Sequence, residues 1–119
     1  MKAIEIYEHA LKLLGYINED GSLDDSLNLK ALAFINAVYA DLFYLINEDG
    51  FMPLKSLDES PKLNKRILTD VFPFGVAQYL ALSVGDGLNQ QIFANIYNSK
   101  RCSINTISQK SDVIPSIDG

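Results

Sequence analysis

His9 and Cys102 are the only histidine and the only cysteine in the chain. General-base chemistry at a lone histidine, or a zinc site, needs further His or Cys ligands or partners. His9 falls on the polar side of an amphipathic segment, so the sequence predicts a solvated side chain. Cys102 follows Lys100 and Arg101, whose charge would favour a thiolate. A nucleophile also needs a base beside it, and His9 is the only histidine on offer. A pentapeptide repeats, Ile17-Asn18-Glu19-Asp20-Gly21 and Ile46-Asn47-Glu48-Asp49-Gly50. It is similar to the centre of a calcium loop, where oxygen ligands alternate before an obligatory glycine. Placing either glycine at the sixth loop position puts Tyr16 or Leu45 first and Leu27 or Ser56 twelfth. The opening acid and closing glutamate are therefore missing, and the pattern reads as two helix ends followed by turns. Gly85-Asp86-Gly87 has no strand before it and no Lys-Ser/Thr after it, which excludes a phosphate loop. Asp24-Asp25 and Glu48-Asp49 read as solvated acidic pairs. The sequence thus predicts no catalytic residue, no metal ligand and no cofactor site.

Along the chain, the apolar positions recur at helical and not at strand spacing. A first helix is expected over Ala3–Leu14, with Ile4, Tyr7, Leu11 and Leu14 on one face, and Gly15 as its stop. After a polar loop, a second helix starts near Asp24, Asp25 or Ser26 and runs to Ile46. Leu27, Ala31, Phe34, Ile35, Val38, Leu42 and Leu45 form its stripe, but Ala33, Ala37, Tyr39, Phe43 and Tyr44 carry apolar surface almost all round. Such a helix is central in its fold or pressed against another subunit. The loop from Asn47 to Lys62 holds Phe51, Met52, Leu54 and Leu57, which suits a loop lying on a core or in an interface. A third helix runs from near Asn64 to before Gly85 and must kink or split around Pro73. A fourth covers Leu88 to Cys102 with Asp86 as its N-cap and Ile92, Phe93, Ile96 and Tyr97 as its apolar side. The expected architecture is all-α: a compact bundle of four main helices in a single domain over residues 1–102. The remainder, 103–119, is expected as an irregular tail or arm that keeps Ile104, Ile107, Val113, Ile114 and Ile117.

With 119 residues, 48% of them hydrophobic and 21% charged, the chain has the composition of one folded domain. Its formal net charge of −5 and its lack of any basic run longer than Lys65-Arg66 or Lys100-Arg101 argue against sequence-specific nucleic-acid binding and against adsorption to anionic lipid. No secretory signal is legible at the start, and no apolar run is read as long enough to span a bilayer. The residues best suited to protein contact are Tyr39, Phe43, Tyr44, Phe51, Met52, Leu54, Ile107 and Ile114, because large apolar and aromatic side chains anchor interfaces.

Several stretches also carry a resemblance. They are Ala10-Leu11-Lys12-Leu13-Leu14-Gly15-Tyr16, Ile35-Asn36-Ala37-Val38-Tyr39-Ala40-Asp41-Leu42, Pro73-Phe74-Gly75-Val76-Ala77 continuing to Leu80-Ala81, and Gly85-Asp86-Gly87. The last is followed by Asn89-Gln90-Gln91, Phe93-Ala94, Tyr97-Asn98 and Lys100-Arg101. Together they resemble small proteins encoded in prophage structural-gene clusters of Gram-positive bacteria. In size and helix order those resemble the head–tail connector (adaptor) family of tailed phages. The resemblance covers the chain to about Arg101. It implies a ring-forming, non-enzymatic subunit of a phage or prophage particle, located in the virion or the bacterial host cytoplasm. Its implied partners are further copies of itself and the portal or other phage structural proteins. A small cytoplasmic helical protein-binding or regulatory module is the alternative reading.

Overall fold

The computed structural model describes residues 1–16, 20–21 and 27–118, with side chains described as far as Ile104. Among these, every regular element is a helix: α1 (Ala3–Leu14), α2 (Asn28–Ile46), α3 (Lys65–Asp70), α4 (Phe72–Ser83) and α5 (Gly87–Asp118). The all-α expectation holds.

The helix ends follow local chemistry. Gly15 takes the left-handed conformation (φ 75°), so its N–H turns back to the Leu11 and Lys12 carbonyls and closes α1. Asn64 caps α3, its Oδ1 accepting from Ile67 N at 2.9 Å. Asp86 caps α5, accepting from Asn89 N at 3.2 Å and from Asn89 Nδ2 at 2.7 Å. Asn47 ends α2, with its backbone N–H and its side-chain amide both donating to Phe43 O. The second copy of the pentapeptide is therefore a helix stop, as its turn-forming residues suggest. Most of the first copy, and the expected cap residues Asp24, Asp25 and Ser26, lie outside the described residues.

Of the expectations about helix limits, the split around Pro73 holds and the end of the fourth helix changes. The third predicted helix is split at Val71, and Pro73 sits in the first turn of α4, where its missing N–H costs no helical hydrogen bond. The fourth does not stop near Cys102. Its backbone continues as α5 to Asp118, beyond the irregular tail expected from Ser103. Residues 103–114 contain no Gly or Pro, so nothing in them terminates a helix already nucleated upstream. The core takes in Ile104, two residues past the expected domain limit.

The four long helices run alternately up and down. The start of α1 is held by the 51–62 loop, with Ala3 N and Ile4 N donating to Glu59 O and Leu57 O at 2.9 Å each. Its far end meets the α4–α5 turn, where the Tyr16 hydroxyl donates to Asp86 at 3.0 Å. The second half of α2 faces the second half of the globular part of α5 through Asp41, Tyr97 and Arg101. One end of the bundle, termed here the turn end, therefore carries the end of α1, the start of α2 and the α4–α5 turn. The loop end carries the start of α1, the end of α2, the 51–62 loop and α3.

The core is centred on α4 and not on α2. Phe72, Pro73, Gly75, Val76, Ala77, Leu80 and Ala81 are buried, so α4 presents an inward surface on more than one side. Its neighbours contribute Ala3, Ile6, Tyr7, Ala10 and Leu11 from α1, and Ala31, Ile35, Val38, Tyr39 and Leu42 from α2. From α5 come Phe93, Tyr97 and Ile104. The α1 stripe is rotated from the expected one, leaving Ile4 and Leu14 only partly covered, and Ile92 is exposed. Gly75 lets α4 come close to its neighbours: a Cβ there would lie 2.7 Å from Tyr97 Cε1 and 2.9 Å from Val38 Cγ1.

At 19 residues, α2 is long and apolar enough by length and composition to cross a membrane, which corrects the sequence reading. Its span of roughly 28 Å approaches the thickness of a hydrocarbon layer. In this fold its Ala31, Ile35, Val38 and Leu42 pack within the bundle. Its polar residues are also engaged: Asn36 exchanges hydrogen bonds with Leu54 O (2.9 Å) and Leu54 N (2.8 Å).

Candidate functional site

The polar side chains that the fold brings together lock helices. Arg101 grips Asp41 with both arms of its fork, Nε to Oδ2 at 2.7 Å and Nη2 to Oδ1 at 2.9 Å. The buried Tyr97 hydroxyl donates to the same Oδ2 at 2.6 Å. Burial alone would raise the Asp41 pKa. The Arg101 and Tyr97 hydrogen bonds and the guanidinium charge outweigh it and hold the carboxyl below its usual range. Burial and the Asp41 carboxylate push the Tyr97 phenol up. At the opposite end, burial and its bond to Asp86 raise Tyr16 to about 12, while the bonds from Asn89 and Tyr16 lower Asp86. A further pair, Lys100 Nζ to Asp70 Oδ1 at 3.1 Å, ties α5 to α3, and the same ammonium sits 5.0 Å from the Phe74 ring centre. His9 and Cys102 are both exposed.

These shifts set a pH dependence. A carboxyl held low when folded contributes stability above the unfolded Asp value of roughly 4, and that contribution disappears as pH falls through the folded value. A phenol held high contributes below roughly pH 10 and loses it as pH rises through the folded value, about 12 for Tyr16. Stability is therefore expected to fall below about pH 4 and above about pH 10. Asp41→Asn is expected to cost about 1–2 kcal/mol at pH 7, the charge-assisted contribution reduced for a pair about a third exposed. The variant should also show a shallower acid limb. Urea melts from pH 2.5 to 11 check this; equal acid slopes in both proteins would rule out the Asp41 contribution.

The apolar surface is distributed unevenly. At the turn end, Leu82 and Val84 at the close of α4, and Leu88 and Ile92 one turn apart on α5, form an exposed corner, Leu88 being 73% exposed. Leu29, 98% exposed, opens α2 at the same end. At the loop end, Tyr44, Ile46 and Met52 are exposed. They border a ring cluster in which Phe51 lies 5.0 Å from Tyr39 and 5.8 Å from both Phe43 and Tyr44, centre to centre. Beside it opens a cleft of about 550 Å³ between the end of α2, α3 and α5. Ile46, Ile67, Val71 and Ile104 line it, with Arg66 and Lys100 among its polar residues.

Of the predicted contact residues, Tyr44 and Met52 are exposed, and Phe43, Phe51 and Leu54 are half-buried. Tyr39 is a correction: it is buried, its hydroxyl accepting from Lys62 N at 3.0 Å, because α2 turns this position onto the 51–62 loop. The side chains of Ile107 and Ile114 lie outside the described residues. Sequence reasoning missed the turn-end corner. Leu82, Val84 and Leu88 were readable only as residues near a helix stop, and Ile92 fitted the inward stripe of its helix. It also missed the Asp41–Arg101 pair, whose members are 60 positions apart.

No family model matches this chain, and comparison with curated proteins and with solved structures finds no match either.

Proposed function

We propose that this chain is a non-enzymatic structural assembly subunit of a phage or prophage particle, a head–tail connector (adaptor) that forms a ring. The observation that carries the reading is the placement of exposed large apolar side chains at both ends of the bundle. Apolar clusters of this kind on a small helical domain mark association surfaces. Two separate sticky faces on one subunit are what head-to-tail assembly requires, and such contacts close into rings when the rotation between copies permits. The resemblance in the sequence supplies the particle. Net charge of −5 adds to it, since an acidic channel wall repels DNA and leaves it free to slide.

The cleft at the loop end favours a second reading, a small protein-binding or regulatory module, because an apolar groove with a polar rim accepts an apolar segment of another protein. Deleting the gene from its host genome and inducing particles separates the two. A connector is expected to be present in purified particles, and its loss to leave DNA-filled heads and detached tails in negative-stain images. Intact, infectious particles made without the chain would refute the connector.

A further inference from the structure

We infer that the outward face of α2 is a two-fold interface with a second copy of this chain, the two α2 helices packing antiparallel. Coverage gives the first argument. The most apolar stretch of α2 has a mean hydropathy of 1.5, yet only 28% of it is buried in the bundle. Leu29, Ala33, Ala37, Ala40 and Tyr44 recur at helical spacing on the side away from the core residues Ala31, Ile35, Val38 and Leu42. Leu29, Ala33, Ala37 and Tyr44 are exposed and Ala40 is half-buried. No charge falls between Lys30 and Asp41. The polar side chains in that span are already engaged, Asn36 with Leu54 and the Tyr39 hydroxyl with Lys62 N. An apolar partner can therefore cover the face without stranding a polar group.

Register selects a second copy as that partner. Along the face the residues run large, small, small, small, large. In an antiparallel pair, setting Tyr44 over the second copy's Ala33 sets Ala40 against its Ala37, and the two-fold axis repeats both contacts. Each ring then lies over a methyl group, and the alanines between let the helix axes approach to about 8 Å. A parallel pair would oppose Tyr44 to Tyr44 and hold the axes apart. Charge agrees. Lys30 is exposed, has no ion pair among the described residues, and is the only Lys or Arg between Lys12 and Lys55. Glu48 and Asp49, also exposed, follow the other end of α2. The same antiparallel register carries Lys30 to the second copy's Glu48, whereas a parallel one would oppose these acids to each other with no base between. Antiparallel helix dipoles attract as well. This contact is independent of the assembly reading: a two-fold contact closes at two copies, and in a ring it would join two rings back to back.

Sedimentation equilibrium and light scattering of the full chain over a concentration series read association, and circular dichroism with the melting temperature reports folding. Wild type is expected to dimerise. Ala37→Glu, at an exposed position, is expected to weaken the dimer roughly a hundredfold, the cost of an unpaired carboxylate at the centre of an apolar contact. Should that variant unfold, Ala33→Glu replaces it. Leu88→Glu, exposed at the turn end, is expected to leave the dimer as it is. A mixture of Ala33→Cys and Tyr44→Cys chains, each in a Cys102→Ser background, reads the register, and disulfides joining position 33 to position 44 are expected.

Links of 33 to 33 or 44 to 44 alone, a wild type monomeric at every concentration, or a folded Ala37→Glu chain that dimerises as wild type does would each overturn the pairing. Phosphatidylcholine vesicles are expected to bind neither protein. Vesicles that take up wild type and not Ala37→Glu would make lipid the occupant and overturn the pairing too. The particle experiment fails independently: dimerisation through α2 by a chain missing from particles would refute the connector and leave the pairing standing.

Discussion

Phe72→Ala is expected to remove about 3–5 kcal/mol of stability, the usual cost of deleting a buried phenyl ring together with the cavity it leaves. The ring is 0% exposed at the head of α4, the helix against which α1, α2, α3 and α5 all pack. It sits 6.5 Å from the Tyr39 ring, which in turn packs on Phe51, so the cavity would open beneath the 51–62 loop as well as between helices. The neighbours are too constrained to collapse into the space. Val71 marks the break between α3 and α4, and Tyr39 is held by its hydrogen bond from Lys62. Domains of this size are stable by roughly 5–15 kcal/mol, so the loss is a large share of the total. The melting temperature is expected to fall by roughly 10–25 °C. Equilibrium urea denaturation with a fitted slope is the measurement. A loss below about 1 kcal/mol would mean that the head of α4 is not a packed core.

Gly75→Ala is expected to destabilise by about 1–3 kcal/mol, although alanine is the better helix former by about 1 kcal/mol. The added methyl would sit 2.7 Å from the Tyr97 ring and 2.9 Å from Val38. A ring free to swing could give way cheaply. The Tyr97 ring is anchored through its hydroxyl to Asp41, which Arg101 holds in turn, so relief at Gly75 strains the clasp between α2 and α5. The coupling is measurable. Tyr97→Phe cuts the anchor, and in that background Gly75→Ala should cost measurably less. Additive costs in the double mutant would show that the clasp does not hold the ring, since only coupled neighbours depart from additivity.

The head of α4 and the clasp were legible in the sequence to different degrees. Phe72 lies at helical spacing with Leu68, Val76 and Leu80, so its burial follows from spacing alone. Gly75 leaves room for a close helix contact, but nothing local to it names its partners, Tyr97 and Val38. Tyr97 was expected to face inward, whereas nothing local to Asp41 or Arg101 announced that they would meet.

Helix identity, the stop at Gly15, the caps at Asn64 and Asp86 and the break near Pro73 were determined by the sequence by itself. Each depends on interactions within a few residues: a left-handed glycine, a side chain bonded to its own first turn, a missing N–H. Tertiary structure alone decided which helix became the centre. By composition α2 and α4 are both apolar almost all round, but small residues at Gly75, Ala77 and Ala81 let other helices approach α4 closely. It also decided that Tyr39 would be buried while Leu88 and Ile92 stayed outside, because burial depends on which neighbour arrives at a face and not on the face alone. The two unlike ends of the bundle arise in the same way. They bring together residues from α2, α3, α4 and α5 that are distant in the chain, and only the up-and-down packing of the helices sets them at opposite poles.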